Sequence, residues 1–241
     1  MFERGIALVA VTKRGVATST KIARALEKTQ IRCDVYAPES LRADGVMPFN
    51  GDLIAILAKL FKTFDAIIAV MAVGIVVRSI APYVADKKTD PAVVVVDDIG
   101  KYCISLLSGH VRGANRLTKM VATEIGAIPV VTTATELLGR KSVEEIAEDH
   151  DLRLANPESL TPVNSAIVND RKVLFATIGP PTSIQIDAVP PKIISSINQL
   201  KEIMEDYDAG VVIAPNNMQI KNLTKPVALL IPASNSRQAS D

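Results

Sequence analysis

"PAVVVVDDIGKYCISLL", Pro91–Leu107, decides the fold. Its two apolar runs, "PAVVVV" and "YCISLL", have the length and the β-branched content of strands. Only "DDIGK" lies between them. A gap that short, holding Asp98 and Gly100, predicts a hairpin rather than a helical crossover.

Outward from the hairpin the pattern changes to strand–helix alternation. "GIALVAV" (Gly5–Val11), "IRCDVYAP" (Ile31–Pro38) and "DAIIAVMA" (Asp65–Ala72) read as strands. Helical spacing fills Val16–Lys28 and Leu53–Phe61, with Asp52 placed to cap the second. An apolar helix holding Arg78 follows Gly74. Downstream, "GANRLTKMVATEIG" reads as a helix closed by Gly126, and "AIPVVTTATE" supplies one more strand. Alternation with a single hairpin predicts an α/β domain of three layers, a mostly parallel mixed sheet between helices.

A smaller α/β domain is expected after it. Ser142 and Glu145 have capping-box spacing before "VEEIAEDHDL". Asn156-Pro157 fits an N-cap and a first helical residue. "KVLFATIG", "AGVVIAP" and "KPVALLIP" read as strands, with a helix around Lys192–Glu205. A boundary near Leu138–Lys141 gives domains at 1–139 and 140–232. The polar residues 233–241 are expected to be a disordered tail.

The 241 residues are 48% hydrophobic, enough for a sizeable core. Basic and acidic residues number 27 and 26, a balance that argues against general binding to nucleic acid or an anionic membrane. Aromatics are 4% with no Trp, so base-stacking platforms are not expected. Cys33 and Cys103 lie far apart in apolar surroundings and read as reduced thiols, which suits a cytoplasmic protein. No apolar stretch has the length of a membrane span.

Polar groups collect where strands end. Gly74 and Arg78 follow "DAIIAV", Asp97 and Asp98 follow "VVVV", Ser108 and His110 follow "ISLL", and Thr132–Glu136 follow "PVV". Ligands of open α/β sheets gather outside the carboxyl ends of strands, so these groups are candidates to converge. One strand of the hairpin must, however, point the other way. Structural roles compete at each position: Asp97 and Asp98 as turn formers, His110 as a helix cap, Arg78 in a surface ion pair. Gly109 and Gly113 permit close backbone approach. The N-terminus of the helix near Arg112, with the guanidinium groups of Arg78 and Arg112, suits a ligand bearing several carboxylates. The chain has no GxGxxG, GxxxxGK[ST], HExxH or GxSxG motif, which argues against a nucleotide- or S-adenosylmethionine-binding enzyme.

The run "GIVVRSIAP…KKTDPAVVVVDDIGKYCISLLSGHVRGANRL…GAIPVVTTATE" resembles the N-terminal domain of the cobalamin biosynthesis protein G family. The likeness is dense over Gly74–Glu136. "SVEEIAEDHDLRLANPESLTPVNSAIVNDRKV" resembles the family's middle domain. Three positions depart from the family pattern. Arg112 stands where a glycine is usual, Asp98 for a glutamate, and Glu136 for an aspartate. Members continue from a strand like "KPVALLI" into a glycine-rich segment and a C-terminal domain. Here "IPASNSRQASD" follows, so the resemblance leads to the expectation that this domain is missing.

The resemblance implies a cobalt-precorrin-5A hydrolase of anaerobic vitamin B12 biosynthesis, a hydrolase acting on a carbon–carbon bond. Its substrate is a cobalt tetrapyrrole with acetate and propionate side chains and a δ-lactone. Water opens the lactone and acetaldehyde leaves, giving cobalt-precorrin-5B. The cobalt comes with the substrate, so no cofactor and no protein metal site are implied. In this reading His110 is general base or acid, Asp97 orients it or serves as base, and Asp98 stands beside them. Gly74, Arg78, Ser108, Gly109, Arg112, Gly113, Asn115, Thr133 and Glu136 hold the substrate. The alternative is a non-catalytic tetrapyrrole-binding subunit that needs a separate C-terminal-domain protein; other enzymes of the pathway are further candidate partners.

Overall fold

A computed structural model describes residues 2–86, 89–179, 184, 186, 190–215, 218, 220 and 223–233. The expected tail beyond residue 233 lies outside the described residues, as does most of the proline-rich stretch 180–189. The chain divides into two units, Met1–Thr132 and Thr133–Asp241.

The hairpin is present in the first unit. β5 (Ala92–Val96) pairs antiparallel with β6 (Tyr102–Leu107). Around it stand β1 (Ile6–Ala10), β2 (Cys33–Pro38), β3 (Val46–Phe49), β4 (Ala66–Val70) and β7 (Ile128–Val130). Their order is β3-β2-β1-β4-β5-β6-β7. β1 to β5 are mutually parallel, and β7 is parallel to β6. Hence β6 and β7 run against the other five.

Every residue of β1, β4 and β5 is buried, because helices cover both faces. Successive side chains alternate between them. Ile6, Leu8, Ile68 and Val94 meet Ile22 and Leu26 of α1 (Lys13–Glu27) and Leu117 and Val121 of α4 (Ala114–Ile125). Val9, Ile67, Val93 and Val95 meet Leu57 and Leu60 of α2 (Leu53–Thr63) and Val76 and Ile80 of α3 (Val73–Ile80). Each such large side chain contributes about 1.5–3 kcal/mol on burial. This is the α/β, three-layer arrangement that the sequence predicts.

Local chemistry sets the ends of these elements. Thr12 caps α1 by accepting from the Gly15 N–H, and Asp52 caps α2 by accepting from that of Ile54. Gly126, in the left-handed region at φ +74°, ends α4 as predicted. β3 has no counterpart in the sequence reading. It is an edge strand, where Pro48 costs no ladder hydrogen bond on the solvent side. Burial pushes both thiols up to about 12; at Cys33 the charges of Glu27 and Asp34 add to it, and at Cys103 a hydrogen bond with Thr118 opposes it.

The second unit has a sheet ordered β10-β9-β11-β12-β8. Its strands are β8 (Leu152–Leu154), β9 (Val173–Ile178), β10 (Lys192–Ile194), β11 (Ala209–Ile213) and β12 (Val227–Pro232). Only β8 is antiparallel to its neighbour. The helices are α5 (Ala134–Leu137), α6 (Val143–Asp149), α7 (Leu160–Val168) and α8 (Ile197–Met204). The Ser142–Glu145 capping box forms. Two details differ from expectation. The helix expected from Lys192 starts only at Ile197, because "KII" pairs with β9 and Ser196 supplies the cap. Asn156 stands at an N-cap with Pro157 after it, as expected, but its side chain makes no cap hydrogen bond; it bonds instead to the backbone of Val227 and Leu229, tying the loop to β12.

Among the described residues, no helix is long and apolar enough to cross a membrane.

Candidate functional site

β6 ends at Leu107 and α4 starts at Ala114, and "SGHVRG" joins them. The connection is tight. Gly113, Ala114 and Asn115 donate their N–H groups to the carbonyls of His110, Ser108 and Gly109, at 3.1, 3.2 and 3.0 Å. Closing so short a loop forces Ser108 to φ +59°, a region that side-chain-bearing residues avoid. Its Oγ is buried with no hydrogen-bond partner among the described residues. Gly109 is required by contact: a Cβ there would stand 2.7 Å from Asn115 Oδ1. That oxygen is fixed, since Asn115 is buried and accepts from Ser105 Oγ at 2.7 Å. His110 is half-buried on the same loop.

Arg112 anchors the loop to the sheet. Its Nη2 donates to Asp65 Oδ1 at 3.0 Å. Arg4 Nε reaches the same oxygen at 2.8 Å, and the Arg4 N–H donates to Oδ2 at 2.8 Å. Burial alone would raise the Asp65 carboxyl. Hydrogen bonds from Arg4 and the charges of Arg4 and Arg112 outweigh it and hold the carboxyl below its ordinary value. Asp65 immediately precedes β4, so the loop lies at the amino ends of the parallel strands.

Asp97 and Asp98 lie at the other end of the hairpin. Val96 pairs with Cys103 and Val93 with Leu107. Val93 to Asp97 is roughly 13 Å of strand at ~3.3 Å per residue. Asp97 therefore does not orient His110; the reversed direction of β6 carries the two apart. The Asp97 carboxylate instead accepts from the N–H groups of Ile99, at 3.0 Å, and Tyr102, closing the turn. Burial would raise its carboxyl, but these backbone donors prevail and lower it. Asp98 accepts from Thr18 Oγ1 through its carbonyl at 2.8 Å, which docks the turn on α1. Its Oδ1 is buried without a hydrogen-bond partner among the described residues and lies 3.1 Å from where a Cβ of Gly15 would be. Gly74 and Arg78 are at this carboxyl edge too, and Arg78 folds back to donate to the Gly74 carbonyl at 3.2 Å.

Both ends of the hairpin fall within residues 55–136, which match the family described as Cobalamin synthesis G N-terminal. The chain is 38% identical over 172 residues to a cobalt-precorrin-5A hydrolase of Priestia megaterium, covering 69% of this chain and 45% of that protein. It is 39% identical over 169 residues to a protein of the same name from Salmonella typhimurium, covering 70% and 47%. The chain belongs to the cobalamin biosynthesis protein G family. It spans about half the length of these two relatives. A crystal structure from Sulfolobus solfataricus, assigned as a cobalamin biosynthesis protein G homolog, matches with a TM-score of 0.54 at 24% identity. That match covers 96% of this chain and 61% of the other, and it bears on the fold alone.

Arg112, Asp98 and Glu136, singled out in the sequence, have definite physical settings. Arg112 turns to a carboxylate of the protein itself, Asp65. Asp98 Oδ1 lies beside Gly15, in the first turn of α1. Thr133 and Glu136 belong to the second unit, Thr133 at the N-cap of α5 and Glu136 in its first turn. The structure thus gathers Ser108, Gly109, His110, Arg112, Gly113 and Asn115 at one edge of the first unit's sheet, and Gly74, Arg78, Asp97 and Asp98 at the other. Asp65 and Arg4 were not among the sequence candidates. They lie 47 and 108 positions from Arg112, and only the strand direction brings them to it. Among the described residues no cluster of three or more metal-ligating side chains forms.

Proposed function

We propose that this chain acts on cobalt-precorrin-5A as a hydrolase, with the 108–113 loop at the reacting centre. The observation that carries the reading is the strained loop itself, inside the segment that matches the family. A buried hydroxyl without a partner, a half-buried imidazole and two glycines converge there, and strain of this kind collects at functional sites.

The chemistry needs a base, an oxyanion site and a path for electrons. His110 removes a proton from water as it adds to the lactone carbonyl. The oxyanion is met by N–H groups between Gly109 and Arg112, since those of Gly113–Asn115 already serve the loop. Collapse opens the lactone to a carboxylic acid and an alcohol. Removal of the alcohol proton then breaks the carbon–carbon bond to the ring. Acetaldehyde leaves, and the ring takes the electron pair and finally a proton. Asp97 and Asp98 take no step in this scheme; they hold the turn. Ser108 is not the nucleophile, because water is.

The test is anaerobic incubation with cobalt-precorrin-5A, following acetaldehyde and the mass of the ring. Acetaldehyde in step with the ring product supports the reading. An unchanged ring with saturating protein refutes it for this chain.

A further inference from the structure

Asp65 is held rigidly where β4 begins. Its N–H donates to the Gly5 carbonyl at 3.2 Å, and its own carbonyl accepts from the Ala92 N–H at 3.0 Å, so its backbone is fixed between β1 and β5. Arg4 fixes the side chain. The Arg4 backbone N–H donates to Oδ2 and its Nε to Oδ1, both at 2.8 Å. The other guanidinium nitrogens of Arg4 donate to the carbonyls of Lys62 and Phe64, each at 3.3 Å, which commits Arg4 to the scaffold. Oδ1 is thereby presented in one orientation to Arg112 Nη2, at 3.0 Å.

The 108–113 loop needs such a tie. Its three backbone bonds run from the N–H groups of Gly113, Ala114 and Asn115 to the carbonyls of His110, Ser108 and Gly109. They close the loop on itself, and none involves the backbone of Val111 or Arg112. The Arg112 side chain joins that middle stretch to a point 47 residues away. A residue in a sparsely populated conformation, as Ser108 is, persists only when its surroundings over-determine it. The ion pair is also sheltered. The side chains of Arg112 and Asp65 are 28% and 16% exposed, against 71% and 43% for the surface pair Arg42–Glu39. Exposed pairs hold little, whereas a sheltered carboxylate already oriented by other donors holds its partner more firmly.

We propose that Asp65, acting through Arg112, is a positioning residue for His110 and for the N–H groups between Gly109 and Arg112. Arg112 is then a tether for the loop rather than a contact for the ligand. Displacing a reacting group by about 1 Å can cost on the order of 10²-fold in rate, so a tether two residues from His110 bears directly on turnover. That consequence rests on the hydrolase reading; the placement of the His110 ring does not.

The test uses the full chain with Arg112→Ala, Asp65→Asn and the two combined, each first shown to be folded under assay conditions by circular dichroism and urea unfolding. In each single variant kcat for acetaldehyde release should fall roughly 10–100-fold with KM nearly unchanged. The double variant should be no slower than the slower single one, because both substitutions cut the same link. Arg112→Lys, which keeps a cation within reach of Asp65, should recover part of kcat. Parent-like kcat in the folded variants, a rise in KM alone, or losses that multiply in the double variant overturn the proposal. The second readout needs no turnover. The chain has two histidines, so the His110 ring is followed by NMR, with His150→Gln identifying the other resonance. The His110 signal should shift or broaden in both single variants while that of His150 stays; an unmoved His110 signal overturns the proposal. A parent protein that releases no acetaldehyde, but whose His110 signal responds, refutes the hydrolase reading and upholds the placement of the ring. Undiminished release by the parent and both variants refutes the positioning role and leaves the hydrolase reading intact.

Discussion

The two ends of the β5–β6 hairpin solve the same problem differently. Each must reverse the chain, and each places a residue in the left-handed region. The turn uses Gly100, at φ +72°, and there the Asp97 carboxylate is met by backbone donors. The loop uses Ser108, at φ +59°, and leaves its hydroxyl buried and unmatched. Glycine at the turn is the low-strain choice, whereas serine at the loop retains strain. Among the described residues each end leaves one buried side-chain oxygen unmatched, Asp98 Oδ1 and Ser108 Oγ, so backbone strain is what sets them apart: the turn is read as architecture and the loop as chemistry, and substitutions can separate the two.

The largest effect is expected on activity. His110→Ala should lower acetaldehyde release by roughly 10²–10⁴-fold, the usual worth of a general acid–base group, with the unfolding midpoint little changed. Asp97→Asn should do the reverse. It removes a charge that receives two backbone N–H groups, so stability should fall by about 1.5–3 kcal/mol while turnover stays near that of the parent. A large loss of turnover in a folded Asp97→Asn protein would erase the distinction between the two ends.

Next is packing. Gly109→Ala drives a Cβ against a buried Asn115 that is already hydrogen-bonded, and should cost about 1–3 kcal/mol in urea unfolding. Gly74→Ala meets only the far end of Arg78, which can move, and should cost less than about 0.5 kcal/mol. Equal costs at the two glycines would mean that the Asn115 contact does not constrain the loop.

Much of this was legible in the sequence. The short "DDIGK" gap gave the hairpin, Gly126 the end of α4, and Ser142 with Glu145 the capping box, because each is a local rule. The two-edge division was not, since it depends on strand direction across the whole sheet. Asp97 and His110 are 13 positions apart in sequence yet stand at opposite ends of the hairpin. Arg4, Asp65 and Arg112 carry no local signal and are joined only by the fold. β10 was misread for a different reason: "KII" is apolar enough for either period, and pairing with β9 decides it.

Acid should act on both ends with the same sign. The folded carboxyls of Asp65 and Asp97 lie below their ordinary value of 3.8. Their contribution is then complete above the unfolded value and is lost as pH falls through the folded one. Asp65→Asn should be less stable than the parent at pH 6, and the gap should close below about pH 4. A gap that persists unchanged at acid pH would show that Asp65 acts through shape rather than charge. The arginine pair that holds it makes the loop end the more salt-sensitive of the two.

The smallest effect has the most informative sign. Ser108→Gly removes the strain and the unmatched hydroxyl together, so it should stabilise the protein by about 1 kcal/mol, less the entropy that glycine adds to the unfolded chain. Gly100→Ser asks the turn to accept what the loop already carries, and it should destabilise by a similar amount. A Cβ there would also come within 3.3 Å of Ile125 Cδ1. If Ser108→Gly gains stability and loses acetaldehyde release, the strain is retained for function. If it loses stability, Ser108 is held by contacts that repay its backbone, and the loop is architecture after all, no different in kind from the turn at the far end of the same two strands.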